Sequence, residues 1–159
     1  IADNASLNAN IESTNKISIS AWVKASSFVG ISDYYMLVDK GDGGFALRTY
    51  FRKPFMRLYV GGSSLYMQGS TNLTDGAWNH LVVTWESGQG KLYLNGVSDT
   101  ISAGTLGTAS GNIAIDTAVL RIGELPTNGT PFNGSIDDVR IYNKALTAAE
   151  VLQLYNQGK

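Results

Sequence analysis

The sequence predicts an all-β fold, a two-sheet antiparallel β-sandwich closed by one short C-terminal helix. Two observations carry this. Glycines cluster at "GDGG", "VGGSS", "SGQG" and "GTLGTASGN", and between them run short segments in which apolar and polar residues alternate. Only the last segment before the C-terminal "GK" has helical spacing instead.

In chain order, "KISISAWVK" alternates Ile17, Ile19, Ala21 and Val23 against Ser18, Ser20 and Trp22, the period of a strand buried on one face. "YYMLVDK", "GFALRTYF", "MRLYVGG" and "SLYMQG" follow as strands separated by glycine turns. "HLVVTWE" and "KLYLNG" are joined by "SGQG", short enough for a hairpin. Ser102 to Asn112 reads as a Gly/Thr/Ser-rich loop, and "AVLRIG" and "SIDDVRIY" as the last strands. In "LTAAEVLQLYNQG", Thr147 is placed as N-cap with Glu150 three residues on, a capping box, and Val151, Leu152, Leu154 and Tyr155 form the apolar face.

A chain of 159 residues with this apolar content sustains one core, so residues 1–159 are read as a single domain, monomeric and cut from a longer protein. A formal net charge of −1 gives no overall attraction to nucleic acid or to an anionic membrane. The absence of cysteine excludes thiol catalysis, cysteine-based zinc sites and disulfides. His80 is the only histidine, so any histidine triad would run through it; hydrogen bonding within the sheet is its expected role. Trp78 and Trp85 are expected in the core; Trp22, on the Ser18/Ser20/Lys24 side of its strand, is either buried after a bulge or offers its flat face to a sugar ring, with burial the expectation. The sequons at Asn4, Asn72, Asn128 and Asn133 follow from an Asn/Ser/Thr-rich composition, and the Asp39/Asp42 segment lacks the full EF-hand pattern and reads as a hairpin turn.

"GSIDDVRIYNKALT" holds a contradiction. Strand alternation puts Asp137 on one face with Val139 and Ile141, the apolar and therefore inward face, where a carboxylate needs an answering group. A metal ion, neighbouring backbone N–H groups or an arginine would each serve. Asp137 and Asp138, being adjacent, should split between the two faces.

Three stretches, "ISISAWVK", "DGAWNHLVVTWESGQGKLYLNG" and "FNGSIDDVRIYNKALTAAEVLQLY", together resemble the laminin G-like branch of the concanavalin A-like lectin and glucanase superfamily. The resemblance implies a jelly roll whose concave face or rim loops bind glycans. It implies a structural calcium ion held by Asp137, with the N-terminal Asp3 or Asn4 contributing. It also implies a secreted bacterial setting, extracellular or on the cell surface.

An enzyme finds little support. Glycosidases flank the scissile bond with two carboxyl groups, and no strand here carries acidic residues at i and i+2. One basic cluster stands out: Arg48, Arg52, Lys53 and Arg57 fall in an interval, from Asp42 to Asp75, with no acid between. Arg48, Tyr50 and Arg52 share one strand face, and Arg57 and Tyr59 a face of the next. Such residues form either a solvated face or a glycan-binding one, with rings for stacking and guanidinium groups for hydroxyls, carboxylates or sulfates. The resulting expectation is a non-catalytic carbohydrate-binding module that brings an appended secreted enzyme to a polysaccharide, anionic if the arginines are uncompensated. A protein-binding adhesive module is the alternative from another class, and a small glycan-cleaving enzyme a third.

Overall fold

The computed structural model describes residues 5–28, 34–105, 111–124 and 131–158, and in it two antiparallel sheets face each other across an apolar core. Helix α1 (Ala5–Thr14) leads into strands β1 (Lys16–Ala25), β2 (Tyr34–Asp39), β3 (Phe45–Tyr50), β4 (Lys53–Val60) and β5 (Ser63–Gly69). Then come β6 (Asn79–Glu86), β7 (Gln89–Leu94), β8 (Val97–Asp99), β9 (Ile101–Gly104), β10 (Arg121–Ile122), β11 (Gly134–Tyr142) and helix α2 (Ala148–Gln157). One sheet has the order β11-β1-β6-β7-β8 and the other β10-β2-β3-β4-β5-β9.

The core is the meeting of two strand faces. Ile17, Ile19, Ala21 and Val23 of β1 join Leu81, Val83 and Trp85 of β6 against Phe45 and Leu47 of β3, Met56 and Leu58 of β4, and Leu65 and Met67 of β5. Burying a side chain of this size contributes about 1.5–3 kcal/mol, which is what fixes the alternation in β1, β3 and β4. Strands β1 and β6 are covered on both faces. The outer-facing Val82 of β6 packs with Tyr93, Leu146 and Val151, because α2 lies across the five-stranded sheet. The serines of β1 beneath that cover are buried and satisfied: Ser18 Oγ donates to Lys144 O (2.7 Å) and accepts from Leu146 N (2.9 Å).

The capping box of α2 forms as expected, with Thr147 Oγ1 accepting from Glu150 N (3.3 Å) and Glu150 Oε2 accepting from Thr147 N (2.8 Å). Hydrogen bonds from Lys144 and then Thr147 hold the Glu150 carboxyl down to about 2. The Asp39–Phe45 segment is the hairpin turn expected, closed by Lys40 N donating to Phe45 O (2.9 Å) and by Gly41 N donating to the Asp39 carboxylate.

Three regions depart from the sequence expectation. Helix α1 was not foreseen, because "ASLNANIEST" has scarcely any apolar face; Ile11 is its one fully buried contribution among the side chains described. Strands β8 and β9 occupy Val97–Asp99 and Ile101–Gly104, so part of the expected Ser102–Asn112 loop is a sheet edge, while residues 106–110 of it lie outside the described residues. The sequence segment "AVLRIG" contributes only the two residues of β10.

Candidate functional site

Hairpin register decides which side chains share the outer face of the six-stranded sheet. In β3 and β4, Arg48 stands opposite Phe55, Ala46 opposite Arg57 and Tyr50 opposite Lys53. On one side β2 places Tyr34 opposite Tyr50 and Asp39 opposite Ala46; on the other, β5 places Tyr66 opposite Arg57 and Ser64 opposite Tyr59. Their sequence neighbours Phe45, Leu47, Met56, Leu58, Leu65 and Met67 all enter the core, so these residues point away from it. The rings form a continuous platform. Tyr34 stacks on Tyr50 with centroids 4.2 Å apart, Phe55 stacks on Tyr66 at 5.8 Å, and Phe55 meets Tyr34 and Tyr50 edge-on at 5.9 and 5.8 Å. Tyr34 and Tyr66 remain 37% and 40% exposed, enough to offer a ring face to a ligand.

The charges on this face are paired. Asp39, fully buried, lies 3.3 Å from Arg48 Nη2 and 3.5 Å from Arg57 Nη2 through its Oδ2. Arg57 also donates to Gly41 O (2.6 Å) and Asp42 O (2.7 Å) and pairs with the Asp42 carboxylate at 3.1 Å. Burial, followed by the neighbouring Arg57, pulls Arg48 below the usual guanidinium range, against the opposing pull of Asp39. Arg48 Nε and Arg57 Nε are buried without a hydrogen-bond partner.

This corrects two expectations. Arg52 does not share the face: with Phe51 it turns the chain at positive φ (63° and 46°), and its guanidinium goes to Asp75 (3.1 Å) and Leu73 O (3.4 Å). The stretch without acids is not an uncompensated positive patch either, because Asp39, Asp42 and Asp75 fold back onto Arg48, Arg57 and Arg52. Arg48, Tyr50, Arg57 and Tyr59 are brought together as expected. Tyr34, Phe55 and Tyr66 were missed, although the "VGGSS" hairpin, read for register, pairs Arg57 with Tyr66.

Asp137 is not inward. A bulge in β11 sets Asp138 and Val139 against the single residue Ala21, between the pairs Ser20–Arg140 and Trp22–Asp137. Asp138 takes a left-handed φ of 48°, and the alternation changes phase there. Ile136, Val139 and Ile141 therefore all pack on the core, and Asp137 is exposed on the outer face with its Oδ1 accepting from Asp138 N (2.7 Å). Asp138 pairs with Arg140 at 2.7 Å. Of the answers open to an acid in this position, backbone capping is the one seen for Asp137. No group of three His, Cys, Asp or Glu able to hold a metal occurs among the described residues, and Asp3, with Asn4 and Asn128, lies outside them.

His80 is buried and bonded to Ser20 Oγ through Nε2 (2.9 Å), the role expected of it. Burial lowers its pKa to about 4, with Asp138 raising it and Arg140 lowering it by smaller amounts. Trp85 is in the core and Trp22 is 7% exposed, sandwiched beside His80 and Tyr155. Trp78, expected in the core, precedes β6 and is 42% exposed.

A family profile described as the Concanavalin A-like lectin/glucanases superfamily matches residues 2–152. The chain belongs to this superfamily. Among curated proteins it is 30% identical over 100 residues to adhesion G-protein coupled receptor V1 of Danio rerio, covering 62% of this chain and 2% of that protein. It is 26% identical over 132 residues to the pentraxin-related protein PTX3 of Homo sapiens, covering 82% of this chain and 33% of that protein. Among solved structures it shares its fold with botulinum neurotoxin type C, in a study of cell entry dependent on two ganglioside molecules (TM-score 0.67, 19% identity, 91% of this chain and 36% of that one). It also shares it with a Bacteroides ovatus protein assigned to carbohydrate binding (TM-score 0.65, 20% identity, 88% of this chain and 40% of that one). The chain thus spans about a third or less of the curated relatives it matches. As a lectin/glucanase-superfamily sandwich it presents two open sheet surfaces, the aromatic face of β2–β5 and the outer face of the five-stranded sheet beside α2. No described helix is long and apolar enough to cross a membrane.

Proposed function

We propose that this domain is a non-catalytic glycan-binding module whose ligand lies across the outer face of β2–β5. One observation carries the reading: the stacked and edge-packed rings of Tyr34, Tyr50, Phe55 and Tyr66 adjoin two guanidinium groups fixed in place by the buried Asp39. Rings present flat apolar surface to the C–H face of a sugar, and anchored guanidinium groups donate to its hydroxyls with little ordering cost. Tyr59, on the Arg57 side of β4, extends the platform. Because Arg48 and Arg57 are already paired with carboxylates, selectivity rests on stacking and hydroxyl recognition, and net charge contributes little to it. An exclusive preference for sulfated or other polyanionic chains loses its basis with that pairing. The superfamily and the Bacteroides ovatus neighbour support the glycan reading.

The module would act outside the cell as part of a longer protein, raising the local concentration of an attached catalytic domain on its polysaccharide. Protein adhesion, the second class, would use the same patch, in which exposed Phe51 meets Tyr50 at 4.3 Å; it has less support because the two fixed guanidinium groups beside the rings suit hydroxyls. Calcium held by Asp137 with Asp3 stays a proposal about the N-terminal segment, decided by metal titration. A glycan array probed with the wild type and with Tyr66→Ala, with and without chelator, tests the module reading: glycan signals lost in the variant support it, and an empty array refutes it.

A further inference from the structure

The last turn of α2 overhangs the start of β11 and leaves a cavity of about 730 Å³ on the five-stranded sheet, lined by Trp22, Trp78, Asp137, Asp138, Tyr155 and Gly158. It belongs to the other sheet from the aromatic platform, so it stands or falls separately from the function proposed above. The β11 bulge builds it. Without the phase change at Asp138, Asp137 would point into the core; with it, both carboxylates reach one cavity beside two indoles.

The chemistry of the wall defines what fits. Among the described residues, the charged side chains that line the cavity are both acidic. Asp138 is answered by Arg140, which is outside the lining, and the described partner of Asp137 is a backbone N–H. Helix α2 points its C-terminal end here and carries no basic residue in its last turn, so its carbonyls add partial negative charge. An anion is disfavoured and a cation drawn in. Trp78, 42% exposed, supplies a ring for the cation or for a flat carbon face. Trp22 closes the wall, its indole N–H buried against Gly158, where any Cβ would collide with it.

Positive charge and a flat carbon face occur together in a protonated amino sugar. We infer that the Trp22–Trp78–Asp137 cavity is a second ligand site, selective for an amino sugar whose ammonium pairs with Asp137 while its ring stacks on Trp78.

The test uses the intact chain, ¹⁵N-labelled, followed by the three tryptophan indole N–H signals, with the fully deacetylated β-1,4-glucosamine trimer and the β-1,4-glucose trimer as probes. The glucosamine trimer is expected to shift the Trp22 and Trp78 signals, to leave that of core Trp85 in place, and to bind about tenfold or more tightly than the glucose trimer. Asp137→Asn, a change at an exposed position, brings the two probes to equal affinity, and Trp78→Ala weakens both. Unmoved Trp22 and Trp78 signals, equal binding of the two probes to the wild type, or a charge preference that survives Asp137→Asn would each overturn the inference.

Discussion

Acidification should destabilise this fold through one residue. His80 is 1% exposed, stacked 4.9 Å from Trp22, hydrogen-bonded to Ser20, and held neutral by a pKa lowered from 6.5 to about 4, chiefly by burial. The unfolded chain takes up a proton below pH 6.5 that the folded chain refuses until about pH 4. The contribution is therefore complete above pH 6.5 and is lost as pH falls toward 4. At about 1.36 kcal/mol for each pH unit between the two values, the loss comes to about 3 kcal/mol. Asp138 and Arg140 act on the same ring in opposite directions, each by less than burial does. Urea unfolding midpoints measured from pH 7.5 to 4 for the wild type and His80→Gln provide the assay, because carboxylate titrations are common to both. The wild type should lose about 3 kcal/mol more than the variant over that range; parallel profiles would refute the assignment of a buried neutral imidazole.

Three further outcomes follow from particular contacts. Asp39→Ala takes from Arg48 the carboxylate it pairs with and from Arg57 one of two, and should cost about 3 kcal/mol of unfolding free energy by denaturant titration, whereas a loss under about 0.5 kcal/mol would mean the pairs anchor nothing. Thr147→Ala removes the α2 cap and should lower stability by about 1 kcal/mol with Glu150 still present, and an unchanged melting temperature would show the cap to be idle. Incubating the domain with any glycan it binds should yield no reducing ends or unsaturated products; turnover that disappears in Asp137→Asn or Glu124→Gln would expose a catalytic pair.

What the sequence makes legible follows from where alternation holds. In β1, β3 and β4, strands without a bulge of their own, each residue's face is readable from its parity, and so are Arg48, Tyr50, Arg57 and Tyr59 as neighbours. Parity fails where a residue other than glycine adopts positive φ. Phe51 and Arg52 form a tight turn with no glycine to announce it, and Asp138 hosts a bulge inside an apparently regular strand. Each moves one predicted site residue, Arg52 and Asp137, to a different surface. Charge compensation was hidden for another reason. Asp39 and Arg48 are distant along the strands yet meet across a bulged β2–β3 ladder, whose register shifts between Met36 and Val38. Trp78 shows the limit of composition: a tryptophan next to a buried strand is ordinarily buried, and this one ends just outside it.

Glycan binding at the β2–β5 face is tested by one comparison. Take the glycan that gives the strongest array signal and titrate it calorimetrically into the wild type, Tyr50→Ala and Tyr66→Ala, whose rings stack on Tyr34 and Phe55 at the two ends of the platform. Affinity should fall about tenfold in each variant, with unfolding midpoints within about 1 kcal/mol of the wild type, and it should change little with salt because the arginines are already paired. Undiminished binding in both variants would contradict the account and place the ligand on another surface.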